Sequence, residues 1–104
     1  MTKEHSIQND IRNYTADIAV LFRANVGKGI TYDGRHLDTG LPKGFSDLFG
    51  FRRSDGRAVF IEVKAPNGRV RSEQVKFIEK MRSYGAIAGV ARSVEEARNL
   101  IQGG

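Results

Sequence analysis

The sequence predicts an α/β fold in which helices flank a mixed β-sheet, with elements in the order α-β-β-β-β-α-β-α. Three observations support this prediction. Apolar residues recur at helical spacing near both ends of the chain, polarity alternates around two Asp-Gly turns in its centre, and a helix separates two strands near its end. Because a helical crossover joins parallel strands, the sheet is expected to contain at least one parallel pair.

The first element is predicted to be a helix over about residues 3–19. Apolar side chains recur along it at helical spacing, which would place them on one face; these are Ile7, Ile11, Tyr14 and Ile18. Residues 20–26 then alternate in polarity, as a half-buried strand does. The helix is therefore expected to give way to a strand near Ala19.

Two β-hairpins are predicted in the centre of the chain, because each Asp-Gly pair is a favoured hairpin turn. The first hairpin joins residues 29–32 to 35–37 through Asp33-Gly34, and the second joins 47–52 to 57–64 through Asp55-Gly56. The segments between and after the hairpins are rich in Gly and Pro, and we expect them to be loops.

Two helices and a strand are predicted after the hairpins. Ser72 is expected to cap a helix over residues 73–84. Residues 86–91 form a short apolar run that is typical of a buried strand. Ser93 and Glu96 have the spacing of a capping box, which predicts the start of a last helix.

The composition limits the classes of function. The chain has 104 residues, with 17 Lys+Arg against 12 Asp+Glu, and its net charge of +5 favours a polyanionic partner. It has no cysteine, which excludes disulfides, thiol catalysis and cysteine-bound metal centres. Its apolar runs are too short for a membrane span, and its first residues lack the apolar core of a secretory signal. One soluble cytoplasmic domain over residues 1–104 is expected.

Polar residues interrupt the predicted buried faces at three places. Glu62 and Lys64 share a strand face with Phe60, Asp47 begins the preceding strand, and Gln74 lies on the apolar stripe of the following helix. Each has an ordinary structural explanation: a solvent-facing ion pair, a turn aspartate and a first-turn glutamine. Taken together, they also predict a site.

The second hairpin would bring Asp47 and Glu62 onto adjacent strands. Two carboxylates held close together repel each other unless a cation lies between them. Oxygen ligands of this kind suit Mg²⁺ or Mn²⁺. Lys64 would then stand beside a metal-bound water, which it could orient or deprotonate.

These residues resemble the PD-(D/E)xK nuclease superfamily, in the pattern Ser46-Asp47, Glu62-Val63-Lys64 and Gln74. Within that superfamily the chain is most similar to the viral-type replication-repair nuclease (VRR-NUC) family, in its small stand-alone phage and bacterial form. The matching stretches are residues 4–8, 22–25, 40–47, 60–66 and 93–97, with Gly68, Ser72, Gln74 and Gly85 between them. The family usually has proline where this chain has Ser46, which changes backbone shape and removes no ligand.

The resemblance implies a restriction-endonuclease-like core and a role for each matched residue. Asp47, Glu62 and the Val63 carbonyl would bind the metal, and Lys64 would position or activate the attacking water. Gln74 would support the water or the scissile phosphate. Glu4 matches an acidic position of the family and would complete the metal shell or bind a second cation.

The resemblance further implies a structure-specific endonuclease that acts as a homodimer on branched DNA such as Holliday junctions, in a bacterium or a phage-infected host cell. Basic residues near the predicted site would bind phosphates without reading bases; these are Arg23, Lys28, Arg35, Lys43, Arg52, Arg53, Lys64, Arg69 and Arg71. Residues 27–29 lack the rest of a Walker motif, so no nucleotide cofactor is expected. The alternative is a basic DNA- or RNA-binding module without activity.

Overall fold

The computed structural model describes residues 3–24, 28–30, 32–38 and 40–104. The helices are α1 (Lys3–Tyr14), α2 (Ser72–Ser83) and α3 (Val94–Gly103). The strands are β1 (Ala19–Arg23), β2 (Lys28–Ile30), β3 (His36–Asp38), β4 (Leu48–Arg52), β5 (Ala58–Val63) and β6 (Ile87–Ala91). Among the described residues five strands therefore precede α2, namely the strand predicted near Ala19 and two strands for each hairpin region, so the predicted order of elements was one strand short.

The main sheet has four strands in the order β1-β4-β5-β6. β4 pairs antiparallel with both β1 and β5, whereas β5 and β6 are parallel and are joined through α2. β2 and β3 pair with each other in a separate two-stranded sheet. The predicted mixed sheet flanked by helices is thus confirmed, and the strand-helix-strand segment supplies its parallel pair.

The hydrophobic core lies on one face of this sheet, beneath α1 and α3. Val59, Ile61 and Val63 alternate along β5 and are fully buried there. Ile11 of α1 and Ile101 of α3 pack into the same cluster. Because successive side chains of a strand point to opposite faces, this arrangement directs Phe60 and Glu62 to the other side of the sheet.

An aromatic cluster fills the opposite face, between the sheet and α2. The ring of Phe45 contacts Phe49, Phe60 and Phe77, with centroid distances of 5.6, 5.8 and 4.9 Å. Phe60 also meets Phe77 edge to face at 5.5 Å. The cluster joins the loop before β4, the strand β5 and the helix α2, so these three elements approach one another where the polar residues follow Phe60.

The first helix ends at Tyr14, well before the predicted boundary near Ala19. Thr15 is fully buried, and its hydroxyl donates to the Ile11 carbonyl at 2.6 Å. The Thr15 carbonyl then accepts from the N–H groups of Ile18 and Ala19, which closes a turn. The apolar spacing continued to Ile18 because this turn keeps Ile18 packed against the core, and the predicted start of the strand near Ala19 is correct.

Of the two predicted helix caps, the structure confirms one and contradicts the other. Arg71, and not Ser72, is the N-cap of α2, so that prediction was wrong; the Gln74 side chain accepts from the Arg71 N–H at 2.9 Å. The Ser93 cap is confirmed, since its hydroxyl accepts from the Glu96 N–H at 3.1 Å. Within the described part of the chain, no helix has the length and apolar character needed to cross a membrane.

Candidate active site

Asp47 lies at the start of β4, directly across from the end of β5. The Val63 N–H donates to Asp47 Oδ2 at 2.9 Å, and the Ala24 N–H donates to the Asp47 carbonyl at the same distance. The antiparallel register that pairs Leu48 with Ile61 places Asp47 next to Glu62. The structure therefore brings together the two carboxylates that the hairpin prediction placed on adjacent strands.

Glu62 and Lys64 are buried although both are ionisable. Glu62 is 2% exposed and Lys64 is 6% exposed, which rules out the solvent-facing ion pair considered from the sequence. The Gln74 Nε2 donates to Glu62 Oε2 at 2.9 Å, and Lys64 Nζ lies 3.6 Å from the same oxygen. One carboxylate oxygen thus meets both the amide and the amine.

The environment of Glu62 disfavours its charged form. Burial is the main cause, and the nearby negative charge of Asp47 adds to it, so the pKa of Glu62 rises from 4.5 to about 8. The positive charge of Lys64 opposes this shift and does not cancel it. A cation placed between the two carboxylates would reverse the repulsion that raises the pKa.

The donor set fits a hard divalent cation. Glu62 Oε1 is buried and has no hydrogen-bond partner among the described residues, which leaves a carboxylate oxygen available beside Asp47. Buried polar atoms are nearly always paired, and an ion is one of the partners that explain an exception. Carboxylate and carbonyl oxygens, as Asp47, Glu62 and Val63 would supply, are ligands that Mg²⁺ and Mn²⁺ accept.

Glu4 is not brought into this donor set. Across residues 3–24, 28–30, 32–38 and 40–104, no three His, Cys, Asp or Glu side chains are grouped closely enough to hold a metal. Glu4 instead lies beside Gly68, where a Cβ would stand 3.3 Å from Glu4 Oε2. The structure gives no support to Glu4 as a third acidic ligand of the same ion, and its role toward a second cation stays a prediction.

Both the oxygen and the nitrogen of the Gln74 side-chain amide form hydrogen bonds. Its Oε1 accepts from the Arg71 N–H and its Nε2 donates to Glu62 Oε2, both at 2.9 Å. These two bonds tie the first turn of α2 to the Glu62 carboxylate. Gln74 therefore orients Glu62, while the direct contact with water or phosphate expected from the sequence stays a prediction.

A basic cleft of about 540 Å³ opens beside Asp47. Three of the predicted DNA-binding residues line it: Arg23, Lys43 and Arg71. Two further polar residues for which the sequence predicted no role, Gln8 and Glu73, also line the cleft. Phosphate groups of a nucleic acid entering this cleft would meet three cations close to the carboxylate pair.

The remaining basic residues of the predicted DNA track have other positions. Arg69 is exposed on the segment before α2, and the Lys28 side chain lies outside the described residues. Arg52 bonds Asp55 and the carbonyls of Ile101 and Gly104, and Arg53 donates to the carbonyl of residue 16. These last two arginines do not lie near the site as expected, because their hydrogen bonds hold them at the end of β4 opposite Asp47.

Gly44 allows the loop before β4 to close on α2. Its φ of +94° lies in the left-handed region that favours glycine. A Cβ there would overlap the Glu73 carbonyl oxygen, so a larger residue would push the loop away from the first turn of the helix. The sequence marks Gly44 as a turn residue, yet only the close approach to Glu73 shows that it shapes the cleft.

Ser46, where the family usually has proline, is fully buried, and its hydroxyl has no partner among the described residues. Replacing Ser46 by alanine removes an unpaired polar group, so we expect the free energy of unfolding to stay constant or to rise by about 1 kcal/mol. Thr15→Val is the matched control, since it removes a buried hydroxyl that does donate, to Ile11. Chemical denaturation measures both; equal losses of stability would contradict the prediction.

Two adjacent carboxylates, of which that of Glu62 is buried, lie with a buried lysine and a helix glutamine beside a basic cleft, which is the arrangement expected from the resemblance to the PD-(D/E)xK nucleases. The profile of the VRR-NUC domain matches residues 8–95, which is most of the chain. The chain belongs to the VRR-NUC family.

Solved structures confirm the fold. One described as "VRR_NUC domain" has a TM-score of 0.67 and 24% identity, covering 98% of this chain and 97% of the other. A second, "VRR_NUC domain protein", has a TM-score of 0.62 and 20% identity, covering 99% and 88%. No curated protein matches the chain. The family defines a nuclease-type, DNA-processing protein whose partner is DNA and whose relatives are generally metal-dependent.

Proposed function

We propose that the protein is an Mg²⁺- or Mn²⁺-dependent endonuclease that hydrolyses phosphodiester bonds in branched DNA, with four-way junctions as its substrate. The observation that carries the proposal is the buried Glu62 carboxylate, which keeps one oxygen unpaired beside Asp47 and the other beside Lys64. A protein that only binds DNA gains nothing from burying an acidic group beside a cleft for phosphates.

Asp47, Glu62 and the Val63 carbonyl would hold the ion. When bound, the ion would polarise the scissile phosphate and lower the pKa of a water molecule. Asp47 is held in place by the Val63 N–H, and Glu62 by Gln74, so neither carboxylate has to reorganise when substrate arrives. Preorganised ligands of this kind are a general requirement for a rapid chemical step.

Lys64 would act on the attacking water. Its Nζ is nearly excluded from solvent and lies 3.6 Å from Glu62 Oε2, so its position is fixed relative to the donor set. An amine held there can donate a hydrogen bond to the water or to a phosphate oxygen. In its neutral form it can also accept the proton that the water loses.

The substrate is proposed to be recognised through shape. Arg23, Lys43 and Arg71 line the cleft and would contact phosphates, which carry no base identity. The family resemblance points to branched DNA and to a homodimer. A two-fold dimer would present one site to each of two opposite strands of a four-way junction. Action on such DNA would place the protein in the cytoplasm of a bacterium or a phage-infected cell.

The direct experiment compares linear, flapped and four-way DNA, each incubated with the purified chain with and without Mn²⁺. We expect metal-dependent cleavage that is strongest on the four-way DNA, with symmetric cuts on opposite strands. Light scattering on the same sample measures the oligomeric state. Metal-dependent cleavage that does not differ among the substrates would overturn the junction assignment and leave the nuclease assignment standing.

The non-catalytic binding module predicts a different outcome. Binding would then be indifferent to divalent metal and to the identity of Asp47 and Glu62, and no substrate would be cut. The adjacent carboxyl groups of Asp47 and Glu62 argue against this alternative, because two acids beside a phosphate site weaken simple binding. Absence of cleavage on every substrate, together with metal-independent binding, would favour it.

DNA affinity should depend steeply on salt, because the cleft contacts phosphates. We expect Arg71→Ala to reduce the slope of log K against log salt by about 1, the value for one lost phosphate contact. Arg98→Ala is the control, since Arg98 pairs with Asp17 on the other side of the protein from the cleft. Titrations of labelled four-way DNA over a KCl series measure both slopes, and an unchanged slope for Arg71→Ala would contradict the prediction.

A further inference from the structure

Arg92 makes an unusual set of contacts for a residue that no functional assignment includes. It follows β6 directly, and its Nη1 donates to the carbonyls of Ala65 at 2.7 Å and Gly68 at 2.8 Å. The Pro66 carbonyl lies at 3.5 Å from the same nitrogen. One guanidinium nitrogen therefore contacts three carbonyl oxygens of a single turn, residues 65–68.

This turn begins immediately after Lys64. The Lys64 N–H donates to the Ala91 carbonyl at 3.1 Å, which fixes the lysine backbone to the end of β6. The Gly68 N–H donates to the Ala65 carbonyl at 2.8 Å and closes the turn. Three carbonyl oxygens that point to one place repel each other unless a donor lies between them, and the planar, permanently charged guanidinium supplies one.

The turn leads directly to the arginines beside the cleft. Arg69 and Arg71 come next in the chain and are exposed, and Arg71 lines the cleft. The Arg71 N–H donates to Gln74, whose amide donates in turn to Glu62. The direction in which the chain leaves the turn thus decides where these two arginines stand relative to the carboxylate pair.

We propose that Arg92 is a positioning residue for DNA: it locks the turn at residues 65–68 and so places Arg69 and Arg71 against the phosphates of the substrate. This inference rests on the proposed function, because it assigns the two arginines to DNA binding. Arg92 itself acts through the turn, since its Nη1 is committed to backbone carbonyls.

The experiment measures DNA affinity over a KCl series for Arg92→Met, which keeps an unbranched apolar side chain and removes the charge and the donors. Ca²⁺ replaces Mg²⁺ in the binding buffer to suppress cleavage. We expect a higher Kd and a salt slope reduced by about 1 to 2, the value for loss of one or both arginine contacts. Arg57→Met is the matched control, because Arg57 also donates to a turn carbonyl, that of Gly85 at 2.6 Å, at the opposite end of β5.

A double-mutant cycle separates positioning from a direct phosphate contact. If Arg92 acts through the turn, Arg92→Met adds little to the loss already caused by the pair Arg69→Ala and Arg71→Ala. Additive losses would overturn the proposal and make Arg92 an independent phosphate contact. A wild-type Kd and salt slope for Arg92→Met would also overturn it.

Stability is followed in parallel by thermal unfolding. If Arg92→Met does not fold, the same cycle is run with Arg92→Lys, whose single ammonium keeps the charge and cannot reproduce the guanidinium geometry. Arg92→Lys is expected to lose less DNA affinity than Arg92→Met, and its loss should again add little to that of the pair Arg69→Ala and Arg71→Ala. Full wild-type affinity of Arg92→Lys would overturn the proposal. A wild-type protein that fails to bind DNA would overturn the proposed function itself, which distinguishes the two failures.

Discussion

Asp47→Asn is expected to lower metal-dependent DNA cleavage by about 100-fold or more, since even groups that only support a metal ligand contribute about 10- to 100-fold. The substitution removes the charge that attracts the cation and leaves a weaker amide oxygen in its place. That oxygen can still accept from the Val63 N–H, which now donates at 2.9 Å, so the end of the β4–β5 pair is expected to survive. Single-turnover cleavage of four-way DNA in saturating Mn²⁺ measures the loss.

Asp10→Asn is the control for this experiment, because it makes the same change of net charge at an exposed position of α1. Its cleavage rate is expected to match that of the unmodified protein. Thermal unfolding of both variants separates loss of chemistry from loss of folding. Undiminished cleavage by Asp47→Asn in a folded protein would remove Asp47 from the metal site and with it the proposed mechanism.

Lys64→Ala distinguishes the role of the lysine from that of the carboxylates. General acid–base catalysis by a positioned side chain contributes about 10²- to 10⁴-fold, and a loss in that range is expected for cleavage. Stabilisation of the folded protein by Mn²⁺ is expected to persist, because Asp47 and Glu62 remain. If Lys64→Ala lost both cleavage and stabilisation by Mn²⁺, Lys64 would maintain the architecture of the site and would not act on the water.

The position of the site could be predicted because it depends on local rules. The Asp55-Gly56 turn joins two strands whose alternation is clear in the sequence, and an antiparallel ladder then places the start of one strand against the end of the other. The Arg52 N–H donates to the Arg57 carbonyl, so the loop around this turn has four residues, 53–56, and this register brings Asp47 opposite Glu62. The parallel pairing of β5 with β6 follows similarly from the helix between them, and it brings Ala91 to the Lys64 backbone.

Details that depend on distant partners could not be read from the sequence. Arg52, Arg53, Arg71 and Arg92 have the same side chain, yet two stabilise the far end of the sheet, one lines the cleft and one holds a turn. A charge pattern shows that a surface is basic and does not show which guanidinium is already bound to a backbone carbonyl. The early end of α1 was missed because Thr15 ends the helix without interrupting the apolar spacing.

Glu62→Gln is expected to abolish metal binding and, in the absence of metal, to stabilise the protein. The folded-state pKa of Glu62 is about 8 and its ordinary value is 4.5, so the folded protein retains a proton that the unfolded chain has lost between these pH values. Stability that depends on this proton is fully present below about pH 4.5 and is lost as the pH rises through about 8. The free energy of unfolding of the unmodified, metal-free protein should therefore fall between pH 4.5 and about pH 8, whereas that of Glu62→Gln should stay constant.

In the presence of metal, the stability of the unmodified protein should rise with pH and not fall, because the metal competes with the proton for the Glu62 carboxylate. Below about pH 8 the affinity for Mn²⁺ is expected to rise by about tenfold per pH unit, as it does when binding releases one proton. Mn²⁺ at 100 times its Kd would add about 2.7 kcal/mol to the stability of the unmodified protein and nothing to that of Glu62→Gln. Glu79→Gln, at an exposed position of α2, is the control and should follow the unmodified protein in both titrations. Thermal unfolding in EDTA and in Mn²⁺ between pH 5 and pH 9 measures these effects together, and equal Mn²⁺ stabilisation of Glu62→Gln and the unmodified protein would show that the ion binds elsewhere.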